Sequence, residues 1–297
     1  MLRRTLLAAA ALAGLTLALP LTTQSQEQQM QNPTPTKSGY APANGVEVYY
    51  AVYGEGSPIV LLHGGLMSGS SFAPIIDTMA ENHQVVTIDL QGHGHTLPFD
   101  RPMTFEAMAD DVAGVIEHLG LEKPAILGYS LGSTTALRVG IQHPDLVSKL
   151  VLVSAPFAFD EGWHDFNREG MRSMTAAQAD GIMQSPMGAA YAAEAPDVKN
   201  FPVLLDKVGD MMRAGFDYSE DVKQLKVPTM LVFADWDAVR TSHVAKFWEL
   251  LGGGLQDAGW DGANMNQNRL AILPGFTHYN MVSPQLAQAA LGFIDGQ

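Results

Sequence analysis

Residues Ala125-Ile126-Leu127-Gly128-Tyr129-Ser130-Leu131-Gly132-Ser133 join a short apolar run to a Gly-x-Ser-x-Gly turn, and a helix-forming stretch, 134–139, follows at once. This reads as strand, sharp turn, helix. A turn that tight strains the backbone at its apex, so the positions two residues either side must be nearly free of side chain. Gly128 and Gly132 meet that need and leave the Ser130 hydroxyl clear of the strand end.

Outward from this unit the same rhythm repeats. Continuous apolar runs at 59–62, 84–90, 149–154, 230–233 and 270–273 have the pattern of strands buried on both faces. Between them lie helical stretches at 72–79 and 242–251 and one after Thr104, and 284–294 closes the chain as a further helix. Thr104 caps a helix whose Phe105, Met108, Ala109, Val112, Val115 and Ile116 share one face and which stops at Gly120. Residues 45–53 alternate as a further strand. Strands alternating with helices predict a mostly parallel, doubly wound α/β sheet covered on both sides. The rhythm breaks at about 155–222, which is rich in Met and Ala and has no strand pattern, so a helical lid over the strand ends is expected there. The Gly-, Asn- and Asp-rich segment 252–268 reads as a long solvated loop, because Asp257 and Asp261 fit no calcium-loop spacing.

The N-terminus has a different character. Arg3 and Arg4 precede an uncharged apolar run, 6–19, which is short for a membrane span of about 20 residues. A basic segment followed by an apolar one is the pattern of a secretory signal. Residues 1–25 are therefore expected to be a signal peptide, 26–44 a flexible linker and 45–297 the folded domain. The expected product is exported, periplasmic or secreted, with no stable membrane anchoring after cleavage. The chain of 297 residues contains no cysteine, which excludes a disulfide, a thiol nucleophile and a lipidated Cys. Its net charge of -14, from 31 acidic and 17 basic residues, argues against nucleic acid as a partner. Nothing in the sequence speaks to oligomeric state.

A serine hydroxyl is a weak nucleophile until a base takes its proton and an acid holds that base in one tautomer. In open α/β sheets such groups lie beyond the carboxyl ends of strands. His278, in the Pro-Gly-turned loop 273–278 after the last strand, is the best-placed histidine; His118, His143 and His243 fall on or at the ends of helices. For the acid, Asp235 and Asp237 both follow the run 230–233, and Asp160 follows the run 149–154. Leu131, immediately after the nucleophile, offers a backbone N–H to an oxyanion.

Taken together, the His63-Gly64 turn, the 89–96 segment, the serine elbow and the terminal Gly-x-x-His resemble the α/β-hydrolase superfamily, with Ser, Asp and His in that chain order. Resemblance to the family's Gly-x-x-Asp strand end, here Ala234-Asp235-Trp236-Asp237, implies that the acid is Asp237. The His-Gly-x turn implies Gly65 as the second oxyanion donor, with Leu66 beside it, and His63 as a structural hydrogen-bonder. It also implies that Gly92-His93-Gly94-His95 is a structural turn; no metal and no cofactor is expected. Relatives that dehalogenate alkanes or open epoxides carry Asp where Ser130 stands, which leaves acyl chemistry.

The expected activity is hydrolysis of a small-molecule carboxylic ester through an acyl-enzyme. Lactone, carbon–carbon or perhydrolysis chemistry, and a non-catalytic ligand-binding relative, are the alternatives. Leu66, Tyr129, Trp163 and Met187 are the candidate substrate contacts. Of the other apolar residues in the lid segment, Phe157, Phe159, Met183, Tyr191, Met211 and Met212, most are expected to be its core.

Overall fold

In a computed structural model, residues 33–98 and 100–296 are described. The signal-peptide expectation for residues 1–25 lies outside them. Eight strands among the described residues form one sheet, in the order β1-β2-β4-β3-β5-β6-β7-β8. They are β1 (Lys37–Ala43), β2 (Val46–Tyr53), β3 (Ser57–Leu62), β4 (His83–Ile88), β5 (Ala125–Tyr129), β6 (Lys149–Val153), β7 (Thr229–Trp236) and β8 (Arg269–Thr277). Strands β4, β3, β5, β6, β7 and β8 run parallel, while β1 and β2 pair antiparallel at one edge. This is the mostly parallel, doubly wound α/β sheet expected from the apolar runs.

Residues 37–43 correct the expected flexible linker. They form β1 and pair with β2 from Lys37↔Val52 to Ala43↔Val46. The hairpin turns at Asn44-Gly45, both at positive φ (49° and 79°). Asn-Gly is the pair that a tight hairpin selects, because both central residues need that conformation. The Gln- and Pro-rich composition just upstream hid the signal. Ala41 and Ala43 point into the core, and α2 (Phe105–Leu119) passes close enough that a Cβ on Gly114 would stand 2.7 Å from that of Ala43.

Helices cover both faces. On one side α1 (Ala73–Ala80) and α11 (Pro284–Ile294) pack with Ile59, Leu61, Leu127 and Val232. The opposite face packs α2 and α3 (Leu131–Gln142) on Val60, Leu62, Ile126 and Leu152. The cap of α2 is as the sequence implies: Thr104 Oγ1 accepts from Ala107 N, and Gly120 ends the helix at φ 63°. Both β7 and β8 run past their apolar cores. β7 continues to Trp236, and β8 passes through Pro274-Gly275 to pair Thr277 with Trp236 across a bulge. Being the outer strand, β8 can admit a proline that lacks a ladder N–H.

Between β6 and β7 the chain forms α4 (Phe159–Gly162), α5 (Asp165–Arg172), α6 (Ala179–Met183), α7 (Pro186–Glu194), α8 (Phe201–Ala214) and α9 (Ser219–Gln224). Isolated bridges Ala158↔Asp217 and Trp163↔Val239 tie this helical insertion down. Then α10 (Thr241–Leu250) follows β7.

Candidate active site

Ser130 sits between β5 and α3 at φ 53° and ψ −115°. A Cβ on Gly128 would meet Gly132 O at 2.3 Å, and one on Gly132 would meet Leu62 O at 2.1 Å, so the elbow closes only over glycine. Its strain is held by neighbours: Ser130 N donates to Val153 O, and Gly132 N donates to His63 O.

From Ser130 a continuous hydrogen-bonded line leads inward. Ser130 Oγ lies 3.1 Å from His278 Nε2, and His278 Nδ1 lies 2.9 Å from Asp237 Oδ1. Asp237 Oδ2 accepts from Ser154 Oγ at 2.6 Å and from Ala234 N at 3.1 Å, while Oδ1 also accepts from Val239 N. Burial alone would raise the Asp237 pKa, but the hydrogen bonds and charge of His278 and the donors at Ser154 and Ala234 together hold it below the ordinary carboxylate value. A carboxylate beside Nδ1 puts the proton there and leaves Nε2 to face the serine.

The competing acids are engaged elsewhere. Asp235 accepts from Gly275 N, and Asp160 pairs with Arg172 at 2.8 Å. His243 stacks on Phe157 and accepts from Phe157 N; His143 pairs with Asp110. His63 is a buried spacer, with Nδ1 2.8 Å from Gly64 O and Nε2 accepting from Leu90 N. In the 92–95 turn, burial pushes the His93 pKa down to about 3. Asp89 closes that turn, taking Gly69 N on one oxygen and His95 N and Nδ1 on the other. Asp89, His95 and Glu194 bring possible ligand atoms within 4.8 Å of one another, yet both Asp89 oxygens are already occupied by these donors.

A cavity of about 300 Å³ opens on Ser130 and His278, lined also by Gly65, Leu66, Leu131, Trp163 and Met187. Leu131 opens α3, where no carbonyl one turn back can receive its N–H. Tyr129 requires a correction as a substrate contact. It is buried on the α1/α11 side of the sheet, does not line this cavity, and donates its hydroxyl to His278 O at 2.5 Å. As the residue before the elbow apex, its side chain is turned to the opposite face by the two-residue period of the strand. Phe157, Phe159, Tyr191 and Met211 are insertion core, whereas Met212 joins Trp163 and Met187 at the cavity.

Ser154 is the residue that sequence reasoning missed. It is fully buried at φ 53°, one residue past β6, and holds Asp237. Apart from Asn44 and Lys123, the non-glycine residues at positive φ among those described are Leu66, Ser130 and Ser154, all three at this site. Strained backbone collects where side chains must be aimed.

The sequence pattern of the alpha/beta hydrolase fold matches residues 57–172. Over 277 residues the chain is 26% identical to a 2-hydroxy-6-oxo-6-(2'-aminophenyl)hexa-2,4-dienoic acid hydrolase of Metapseudomonas resinovorans, covering 86% of this chain and 90% of that one. The chain has the α/β-hydrolase fold and is similar to hydrolases that share it. Among solved structures, a serine hydrolase involved in carbazole degradation superposes with a TM-score of 0.67 at 26% identity, covering 88% of this chain and 99% of the other. A pimeloyl-[acyl-carrier protein] methyl ester esterase of Aliivibrio salmonicida is 34% identical over 133 residues, 44% of this chain and 47% of that enzyme, so the match spans less than half of that relative.

Proposed function

We propose that this α/β-hydrolase cleaves a carboxylic ester through a covalent acyl-enzyme on Ser130. The observation that carries the reading is the unbroken line Ser130 Oγ, His278 Nε2, His278 Nδ1, Asp237 Oδ1. His278 takes the hydroxyl proton as Ser130 Oγ bonds to the ester carbonyl carbon. The N–H groups of Leu131 and Gly65 receive the oxyanion. The carbonyl–alkoxy bond breaks, His278 returns the proton to the leaving oxygen, and the alcohol departs. Water then repeats the sequence on the acyl-enzyme, its proton passing to His278, and the carboxylic acid leaves as Ser130 regains its hydrogen.

The cavity lining favours an ester over a substrate with its own carboxylate, such as the dienoic acid in the relative's name. No Lys or Arg is among the described residues that line it. The arginines nearest in sequence are engaged: Arg168 with Asp165, Glu169 and Asp160 O, Arg172 with Asp160, Arg213 with Asp210 and the carbonyls of Arg172 and Met174, and Arg240 with Asp165 and Trp163 O. The basic and apolar leader supports action outside the cytoplasm.

The test is turnover of p-nitrophenyl esters by the protein and by Ser130→Ala, with mass spectrometry after a serine-directed phosphonate. Turnover lost in the variant and an adduct on Ser130 are expected. An adduct without ester turnover would move the reading to lactone or carbon–carbon bonds. Neither result would point to a ligand-binding relative.

A further inference from the structure

Phe105 and Phe216 each line two cavities. One is the cavity at Ser130; the other, of about 680 Å³, lies between residues 100–106 and 207–218. They are the only described residues common to both linings. Their rings meet edge to face at 5.0 Å and an interplanar angle of 77°. Phe216 is held further by Tyr218, stacked at 5.0 Å, and by Phe159 at 5.9 Å. Its backbone is fixed as well, since Phe216 O accepts from Phe159 N. Phe105 is the first residue of α2, placed by the Thr104 cap. The pair is therefore an anchored partition between the two spaces.

Burial shows which end of the Ser130 cavity this partition closes. Phe166 and Tyr279, 88% and 73% exposed, stand at its mouth, whereas Phe105, Val208 and Met212 are buried lining. In an acyl-enzyme mechanism the alcohol leaves after the first half-reaction, while the acyl group stays bonded to Ser130 until water arrives. The group retained through both steps suits the enclosed apolar end, and the group that departs suits the mouth.

We infer that the Phe105–Phe216 partition sets the longest acyl chain this enzyme accepts, and that the second cavity is room for a longer chain once the partition is breached. This rests on the acyl-hydrolase reading above. The substrate class is an ester of an uncharged, apolar acyl group short enough to end against the two rings. The second cavity carries Asp100, Glu106, Lys207 and Asp210 on its walls, so chain entering it finds partial rather than complete apolar cover. A fully covered methylene raises kcat/KM about four-fold, and partial cover over four carbons should still give about ten-fold.

The experiment measures kcat/KM for p-nitrophenyl butanoate, octanoate and dodecanoate with the full chain and with Phe216→Ala, Phe216→Leu and Phe216→Tyr. The dodecanoate-to-butanoate ratio is expected to rise about ten-fold in Phe216→Ala. It should rise less in Phe216→Leu and stay near the wild-type ratio in Phe216→Tyr, which keeps the ring. Should the alanine variant fail to fold, the leucine variant carries the test in the same direction. Folded variants that turn over butanoate with an unchanged length profile would overturn the inference and leave the esterase reading standing. A gain confined to long alkyl acetates, with acyl length indifferent, would overturn it too, by placing the alcohol at the partition. Absence of turnover of every ester by the wild-type protein would instead remove the underlying reading.

Discussion

Replacing Ser154 with alanine removes the hydroxyl that donates to Asp237 Oδ2 at 2.6 Å, at a fully buried position. That hydroxyl is one of the groups holding the Asp237 pKa down, so its loss lets the carboxyl protonate at higher pH. A drop of about ten-fold in kcat/KM is expected at neutrality, because Asp237 is held less firmly against His278. Stability follows the same sign. A carboxylate whose folded pKa lies below its unfolded value stabilises the fold above the unfolded pKa, and the contribution disappears as pH falls through the folded one. Acid unfolding of Ser154→Ala should therefore begin at higher pH than in the wild type, as followed by circular dichroism. Ser154→Gly separates the two roles of this residue, since glycine is at ease at φ 53° but has no hydroxyl. Unchanged kcat/KM and acid unfolding in both variants would mean that Ser154 serves the backbone alone. Ser130→Ala and Asp237→Asn are each expected to lower kcat by about 10⁴-fold or more, measured under single-turnover conditions.

At the level of the element, the edge hairpin and α2 depend on one another. Gly114 lies on α2 where a side chain would stand 2.7 Å from Ala43 Cβ and 2.9 Å from Ala43 Cα, and the latter is backbone that cannot rotate away. A leucine there must lift β1 from the helix. Overpacking of this kind costs about 1–3 kcal/mol. For a domain of this size the melting temperature should fall by about 2–4 °C for each kcal/mol. Hydrogen exchange at residues 37–43 should quicken ahead of the central strands, because β1 has a partner strand on one side only. Uniform exchange across the sheet would show that the hairpin is no independent unit. The same helix starts at Phe105, so loosening it should also disturb the acyl partition.

On the scale of the whole molecule, charge and cavity act in one direction. The net charge of -14 repels anions at long range, and the Ser130 cavity has no cation among its described lining residues to receive one. A carboxylate carried into that apolar space would lose its hydration without a partner, which costs several kcal/mol. The hemiester p-nitrophenyl hydrogen adipate is thus expected to be cleaved at least about 100-fold more slowly than p-nitrophenyl hexanoate, in kcat/KM. Added salt should shrink only the long-range part of that preference. Equal rates would reveal a cation reaching the substrate and would favour carboxylate-bearing substrates instead.

Local pattern was enough for the architecture and for the placing of Ser130 and His278, while the choice of Asp237 over Asp235 and Asp160 rested on the family resemblance. Short apolar runs alternating with helical stretches have the pattern of strands covered on both faces, and the close contacts at Gly128 and Gly132 admit only glycine at the turn. Ser130, Asp237 and His278 each follow such a run, so strand order and chain order place them at one edge of the sheet. Three things lay outside the reach of pattern. The strand at 37–43 was masked by its polar neighbours, although Asn44-Gly45 announced the hairpin. Tyr129 and Ser154 could not be assigned, because strand periodicity tells which face a side chain takes but not what waits for it there. Tyr129 meets the His278 carbonyl across 149 residues of chain, and Ser154 meets Asp237 across 83. The cavity and its Phe105–Phe216 partition likewise join the start of α2 to the end of α8, two segments with no periodic relation. Contacts of that kind come from packing the helical insertion against the sheet, a global balance of burial and strain that a single stretch of sequence does not contain.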